Sequence, residues 1–209
     1  MTIPLGIDLP KEPLSPSGSE ASVLFIGGYG HHPNADAALR LMRSIMPAAR
    51  VQIPELKLRL VGDRPTKQMW AAASEFDQIT GQVLAVEPYL DRCAAVVLPI
   101  RLGGGMRVKL LEAMAAGKAI VASQVAVAGL GLTDGDQLLI AGSDAEFAEI
   151  VVRLVRDQYL RERLGREARR FAERHLDWDS VVREYERLYR SLAQGMGRPA
   201  KPAHQVVTS

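Results

Sequence analysis

Between Ser22 and Leu192 the chain alternates short apolar runs with longer segments whose apolar residues recur every three or four positions. The first pattern fits strands buried on both faces and the second amphipathic helices, so their alternation predicts βα units wound on a parallel sheet. Residues 22–26 (SVLFI) read as a buried strand ending in Gly27 and Gly28. Residues 35–46 set Ala38, Leu41, Met42 and Ile45 on one helical face, with Asn34 as N-cap behind Pro33. A second strand is predicted at 56–61, a helix at 66–74, a short strand at 82–85 and one or two helical turns at 87–92. Residues 94–100 (AAVVLPI) are nearly all apolar, as a central strand requires. Beyond a glycine loop, 106–116 reads as a helix stopped by Gly117, and strands follow at 119–123 and 137–141. Helices are predicted at 145–155 and along the Arg-rich stretch 160–173, and Asp179 is placed to cap a last helix over 180–192. The expected fold class is α/β, a single domain built on a doubly wound parallel sheet.

The two ends lack this periodicity. Residues 1–20 hold four prolines, two glycines and three serines and read as a linker or tail. Residues 195–209 read as a disordered tail, which leaves 21–194 as the folded domain. With 209 residues, surface scaling has folding hide roughly 70% of the chain's area, enough for one core without disulfide or metal. Cys93 is the single cysteine, so no internal disulfide forms, and a reducing, cytoplasmic setting is expected. Twenty-six Lys and Arg against 24 Asp and Glu leave a net charge of +2 with no basic block, and aromatics are only 5%. Both features argue against nucleic acid as partner. No apolar run is long enough for a membrane helix, and residues 1–11 lack a basic stretch followed by an apolar one, so an unexported chain is expected.

Open parallel sheets bind ligands beyond the carboxyl ends of their strands. Three loops there carry informative residues: 27–34 (GGYGHHPN), the turn at 84–88, and 101–109 (RLGGGMRVK). Three glycines after a buried strand let backbone amides approach an anion at a helix N-terminus. Arg101, Arg107 and Lys109 surround that helix start, where cations oppose the helix dipole unless an anion binds. Lys109 and Glu112 share one face a turn apart, a spacing that suits a phosphate at the lysine and a sugar diol at the glutamate. The same residues also suit a plain tight turn followed by a surface ion pair, and the pattern leaves both readings open. Asp134-Gly135-Asp136 and Asp177-Trp178-Asp179 spell D-x-D, but a glycine turn and a helix start explain them without metal. Cys93 reads as inert core, and the stretch 161–174 as a solvated face of Arg and Glu pairs.

The run GGGMRVKLLEAMAAGKAIVAS at 103–123 resembles the donor-binding signature of the group 1 glycosyltransferases of the GT-B fold, in which a glycine loop leads into E-A-M-A-x-G. LFIGGYGHHPNADAALRL is similar to the family's first strand and P-N-x-D-A helix, LRLVGDRP to its L-x-I-V-G strand, and VLPI to its V-x-P-L strand. HLDWDSVVREYERLY fits its tail, so the likeness covers about 22–192. It implies a Rossmann-like sugar-nucleotide-binding domain, the C-terminal one of two, and residues 3–8 (IPLGID) resemble the interdomain P-N-G-I-D segment with Leu5 where Asn is usual. By analogy Glu112 holds the ribose hydroxyls. Gly103, Gly104, Gly105 and Met106 with Arg107 and Lys109 meet the diphosphate, and the turn at 85–87, with Val86 and Glu87, receives the base. Two departures stand out: Gly104 occupies the place of a second Glu found in many relatives, and His31 and His32 replace an Arg and a Lys. The basic work then falls to Arg107 and Lys109.

The resemblance implies a retaining, metal-independent hexosyl transfer from a nucleoside diphosphate sugar to an acceptor in glycan or polysaccharide biosynthesis. No cofactor is expected. The acceptor, a glycan or lipid-linked sugar, would sit on an N-terminal domain absent from this sequence, the complete enzyme associating peripherally with the inner membrane. Without that domain the chain is expected to be inactive. Gly28, His31, His32 and Asn34 are the expected sugar or acceptor contacts, the two histidines being otherwise solvated. A non-catalytic module that only binds the nucleotide sugar is the alternative. A nicotinamide site is disfavoured, because Gly28-Tyr29-Gly30 does not complete G-x-G-x-x-G.

Overall fold

A computed structural model describes residues 5–15, 20–103 and 108–196. All five residues of β1 (Ser22–Ile26) are buried, as are the four of β4 (Ala95–Leu98) and the three of β5 (Ile120–Ala122). Strands hidden on both faces need helices on both sides, and the parallel direction of every pairing supplies the long crossovers that carry them. With β2 (Lys57–Val61), β3 (Asp77–Ile79) and β6 (Leu139–Ile140) the sheet has, among the described residues, six strands in the order β3-β2-β1-β4-β5-β6. The register pairs Val23 with Leu58 on one side and with Ala95 on the other. The doubly wound parallel sheet expected from the sequence is therefore the one observed.

One helical layer is α1 (His32–Arg40), a π-helical turn at Leu41–Ile45, α2 (Met46–Arg50), α3 (Lys67–Ala72) and α7 (Asp144–Arg156). The other holds α4 (Glu87–Arg92), α5 (Val108–Ala115) and α8 (Gln158–His175). A short α6 (Gln124–Val127), missed in the sequence pattern, follows β5, and α9 (Trp178–Met196) ends the described chain beside α8. The tail expected from 195 onward lies, after Met196, outside the described residues.

Several boundaries differ from the pattern for identifiable reasons. α1 starts at His32 with Pro33 in its first turn, where a missing N–H costs nothing, and Asn34 does not cap it. The helix also outruns residue 46: Met46 N–H donates to the Leu41 carbonyl five residues back, an i→i−5 step that carries it past Pro47, which has no N–H to give. No strand forms at 82–85, and Leu84 is fully exposed. The edge strand is instead Asp77–Ile79, whose polar Asp77 and Gln78 hide it from a hydrophobic count. Arg50 pins it, donating to Asp77 at 2.6 Å and to the Leu56 carbonyl at 2.9 Å.

The segment 5–15 packs on the domain. Ile7 is buried, donates to the Leu176 carbonyl at 2.8 Å and bridges Asp177. Gly6 is required there, because a Cβ would lie 2.5 Å from the Trp178 ring. Leu14 N–H donates to the Ala116 carbonyl at 2.9 Å, and buried Lys118 donates to the Ser15 carbonyl. The Arg-rich α8 is more than a solvated face. Its Arg166–Glu162, Arg170–Glu167 and Arg169–Glu173 pairs are as expected, but Arg169 also binds the Ala115 and Pro10 carbonyls, at 2.6 and 2.9 Å. Buried Arg161 donates to the last carbonyls of α7, Leu154 at 2.7 Å and Val155 at 2.8 Å, satisfying groups a helix leaves unpaired.

Candidate functional site

β1 and β4 are neighbours, yet the chain leaves them toward opposite helical layers, and a crevice opens between the two exits. The β1 exit is held by its neighbour β2. Gly27 N–H donates to the Val61 carbonyl and Tyr29 N–H to the Asp63 carbonyl, both at 2.9 Å. This approach is so close that a Cβ on Gly62, whose φ is +145°, would stand 1.8 Å from the Gly27 carbonyl oxygen. Tyr29 is buried beneath the loop and its hydroxyl faces the Phe25 and Val61 carbonyls, so burial drives its pKa well above the usual range. Asn34 Nδ2 donates to the Gly28 carbonyl at 2.9 Å and closes the loop over the first turn of α1. His31 is the N-cap and offers no side-chain acceptor to that turn, so α1 presents an uncapped N-terminus to the crevice.

The crevice is a cavity of about 300 Å³. Ile26, Leu98 and Ile100 form its apolar floor, and His31, Asn34 and Lys109 bring polar groups to it. Gly103 also lines it, with a φ of +96° that favours glycine. Lys109 is half-buried in the first turn of α5 and has no hydrogen-bond or ion-pair partner among the described residues. Gly104, Gly105, Met106 and Arg107 lie outside the described residues.

A second, larger cavity of about 550 Å³ opens on another flank of α5. It brings Glu112 together with Val86 and Glu87 from the turn before α4, and with Asp8, Leu9 and Leu14 from the N-terminal segment. Desolvation by the cleft walls raises the Glu112 pKa; the Lys109 ammonium offsets part of this and the Glu87 carboxylate adds to it. One helix thus carries a cation to one cavity and a solvent-reachable, partly desolvated carboxylate to the other. The first can meet negative charge, and the second can accept hydrogen bonds from neutral hydroxyls.

His32 is exposed at the start of α1, and Gly28 sits where a Cβ would meet the Asp63 carboxylate at 2.8 Å. Arg101, placed by the sequence at the start of α5, is committed elsewhere: it grips Asp36 of α1 through two bonds of 2.7 and 2.8 Å. That guanidinium holds the Asp36 carboxyl below its ordinary range, through the hydrogen bond first and charge second. Asp134 accepts from Ile140 N–H at 2.8 Å within a glycine turn, and Asp179 lies inside the first turn of α9 rather than capping it. Among the described residues no cluster of His, Cys, Asp and Glu could hold a metal ion. Cys93 is buried and its thiol is pushed up to about 11, chiefly by desolvation. Sequence reasoning missed the residues of the N-terminal segment in the second cavity, because composition marked them only as linker.

Comparison with known proteins bears on the family and the fold. Residues 20–157 match the family described as glycosyl transferases group 1. The phosphatidyl-myo-inositol mannosyltransferase of Mycobacterium leprae is 31% identical over 182 residues, 82% of this chain and 47% of that protein. Its counterpart in Mycolicibacterium smegmatis is 29% identical over 179 residues, 82% and 45% of the two chains. The chain therefore spans about half the length of these curated relatives. Among solved structures, TarM matches with a TM-score of 0.68 at 16% identity, over 90% of this chain and 37% of its own. HepE of Anabaena, solved with UDP and glucose, matches with a TM-score of 0.66 at 16% identity, over 84% and 48%. At such identities the structures speak for the fold.

Proposed function

Because the chain belongs to the group 1 glycosyltransferases, we propose that it is the donor-binding half of a retaining enzyme that moves a sugar from a nucleoside diphosphate sugar to an acceptor in glycan or polysaccharide biosynthesis. One observation carries the reading: α5 directs a lysine with no partner among the described residues into one cavity and, a turn away, a partly desolvated glutamate into another. A sugar nucleotide has the matching polarity, with an anionic diphosphate beside a neutral ribose.

In this reading Lys109 meets the diphosphate with Arg107 and the amides of the glycine loop. Glu112 accepts the two ribose hydroxyls, and the turn at 85–87 receives the base. Gly28, His31, His32 and Asn34 face the sugar or the acceptor. When the bond from the anomeric carbon to the diphosphate oxygen breaks, negative charge develops on the leaving group, and pre-placed cations and amides stabilise it there. Lysine and arginine do this work without a metal. The acceptor, a glycan or lipid-linked sugar, belongs to an N-terminal half, which accords with the length of the relatives. The segment 1–20 is then the connection between halves, 21–194 is the donor-binding domain, and the working enzyme is cytoplasmic and peripheral to the inner membrane. The isolated chain binds nucleotide but transfers no sugar at a useful rate, because a closed two-domain cleft is needed to align the acceptor and exclude water.

Calorimetric titration with UDP, GDP, ADP and CDP tests this directly. At least one should bind the wild-type chain, and Glu112→Ala should weaken that nucleotide tenfold or more while the fold is retained. Two charge-assisted bonds of roughly 1.5–3 kcal/mol each are lost, with part regained from water. Failure of all four to bind would overturn the reading, as would robust sugar transfer by the chain alone overturn the division of labour.

A further inference from the structure

The segment before β1 is pinned at Ile7 and at Leu14 and is held between them at the Pro10 carbonyl. At one end Ile7 is held by the Leu176 carbonyl, and Gly6 lies against the Trp178 ring. At the other, Leu14 is held by the Ala116 carbonyl at the end of α5, and Lys118 and Arg169 reach out to the Ser15 and Pro10 carbonyls. The residues between these anchors bow over the second cavity, where Asp8, Leu9 and Pro10 line the same space as Glu112 and Glu87. A strap tied at both ends loses little further freedom when something binds against it, which is what a recognition wall requires.

From this geometry we infer that residues 8–10 form a wall of the nucleoside subsite, with Leu9 and Pro10 packing against the nucleoside opposite the turn at 85–87. The inference rests on the donor-binding reading above and extends it to a segment outside the βα loops. Its chemistry suits a nucleoside better than a phosphate. The described side chains lining this cavity are apolar or carboxylate, and none of these carries a positive charge. An apolar wall gains from covering a flat heterocycle, whereas three carboxylates, Asp8, Glu87 and Glu112, repel an anion. The strap therefore orients the ligand, keeping the base inside and the diphosphate out toward Lys109. It also makes the site depend on residues that hold the strap from a distance, such as Gly6.

The buried, unreactive Cys93 makes a labelling test clean. In Pro10→Cys the new thiol is the accessible one, and its rate of alkylation by iodoacetamide is measured with and without a saturating nucleoside diphosphate chosen from UDP, GDP, ADP and CDP. The bound nucleotide should slow labelling at least fivefold, while Lys11→Cys, exposed but outside the cavity lining, labels at an unchanged rate. In parallel Leu9→Ala should weaken the nucleotide and its parent nucleoside by the same factor, about three- to tenfold. Binding to the wild-type chain with equal labelling of Pro10→Cys in both conditions would overturn the strap inference alone. Absence of binding by all four diphosphates would overturn it together with the donor-binding reading.

Discussion

Replacing Lys109 by alanine separates phosphate recognition from everything else in the site. The ammonium is half-buried in the first turn of α5 and has no partner among the described residues, so its removal breaks no described structural contact. A bound diphosphate would give it one or two charge-assisted hydrogen bonds, each contributing about 1.5–3 kcal/mol net. At about 1.4 kcal/mol per decade, the loss of one such bond is roughly a 10- to 100-fold rise in Kd. The parent nucleoside has no phosphate and should change less than about twofold. A second effect follows from the coupling along the helix. Burial raises the Glu112 pKa and Lys109 restrains it, so Lys109→Ala lets the carboxyl rise further. Glu112 accepts ribose hydroxyls as a carboxylate, and nucleoside affinity therefore falls as pH drops through its pKa. In Lys109→Ala that acidic limb should move to higher pH. Calorimetry with the tightest diphosphate and its nucleoside, across a pH series, reads both effects. Equal losses for the two ligands would place Lys109 in the scaffold or at the base and refute the argument.

Two further outcomes follow from the same geometry. Glu112→Gln should abolish most nucleotide affinity while leaving thermal stability at neutral pH unchanged or slightly higher. A carboxyl with a raised folded-state pKa disfavours folding once ionised, so any gain should vanish at acid pH where both states are protonated; a clear loss of stability at neutral pH would contradict this sign. Gly62→Ala should be severely destabilising, by about 3 kcal/mol or more, because its Cβ would meet the Gly27 carbonyl oxygen in a backbone region L-residues avoid. Urea unfolding within 1 kcal/mol of wild type would show that the β1 and β2 exits can separate without cost.

The parallel sheet and its central strands were legible in the sequence because burial on both faces leaves a continuous apolar run, as in Ala95–Leu98. Helices with one apolar face, such as α7, were legible for the matching reason. The edge strand Asp77–Ile79 was not, since an edge needs little apolar surface and is defined by its pairing with Leu58–Leu60. The helix past Met46 was hidden behind Pro47, a residue that usually ends one.

For the site, the glycines, Lys109 and Glu112 could be named from spacing alone, because residues three apart on a helix share a face whatever surrounds them. Spacing fixes directions along one element and nothing beyond it. Only the tertiary structure shows that Lys109 and Glu112 face different cavities, that Arg101 is bound to Asp36 across 65 positions of chain, and that the proline-rich segment lies beside Glu112. Those three facts depend on contacts between distant stretches, where which partner arrives, and with what charge, is set by the folding of the whole sheet rather than by any local pattern of side chains.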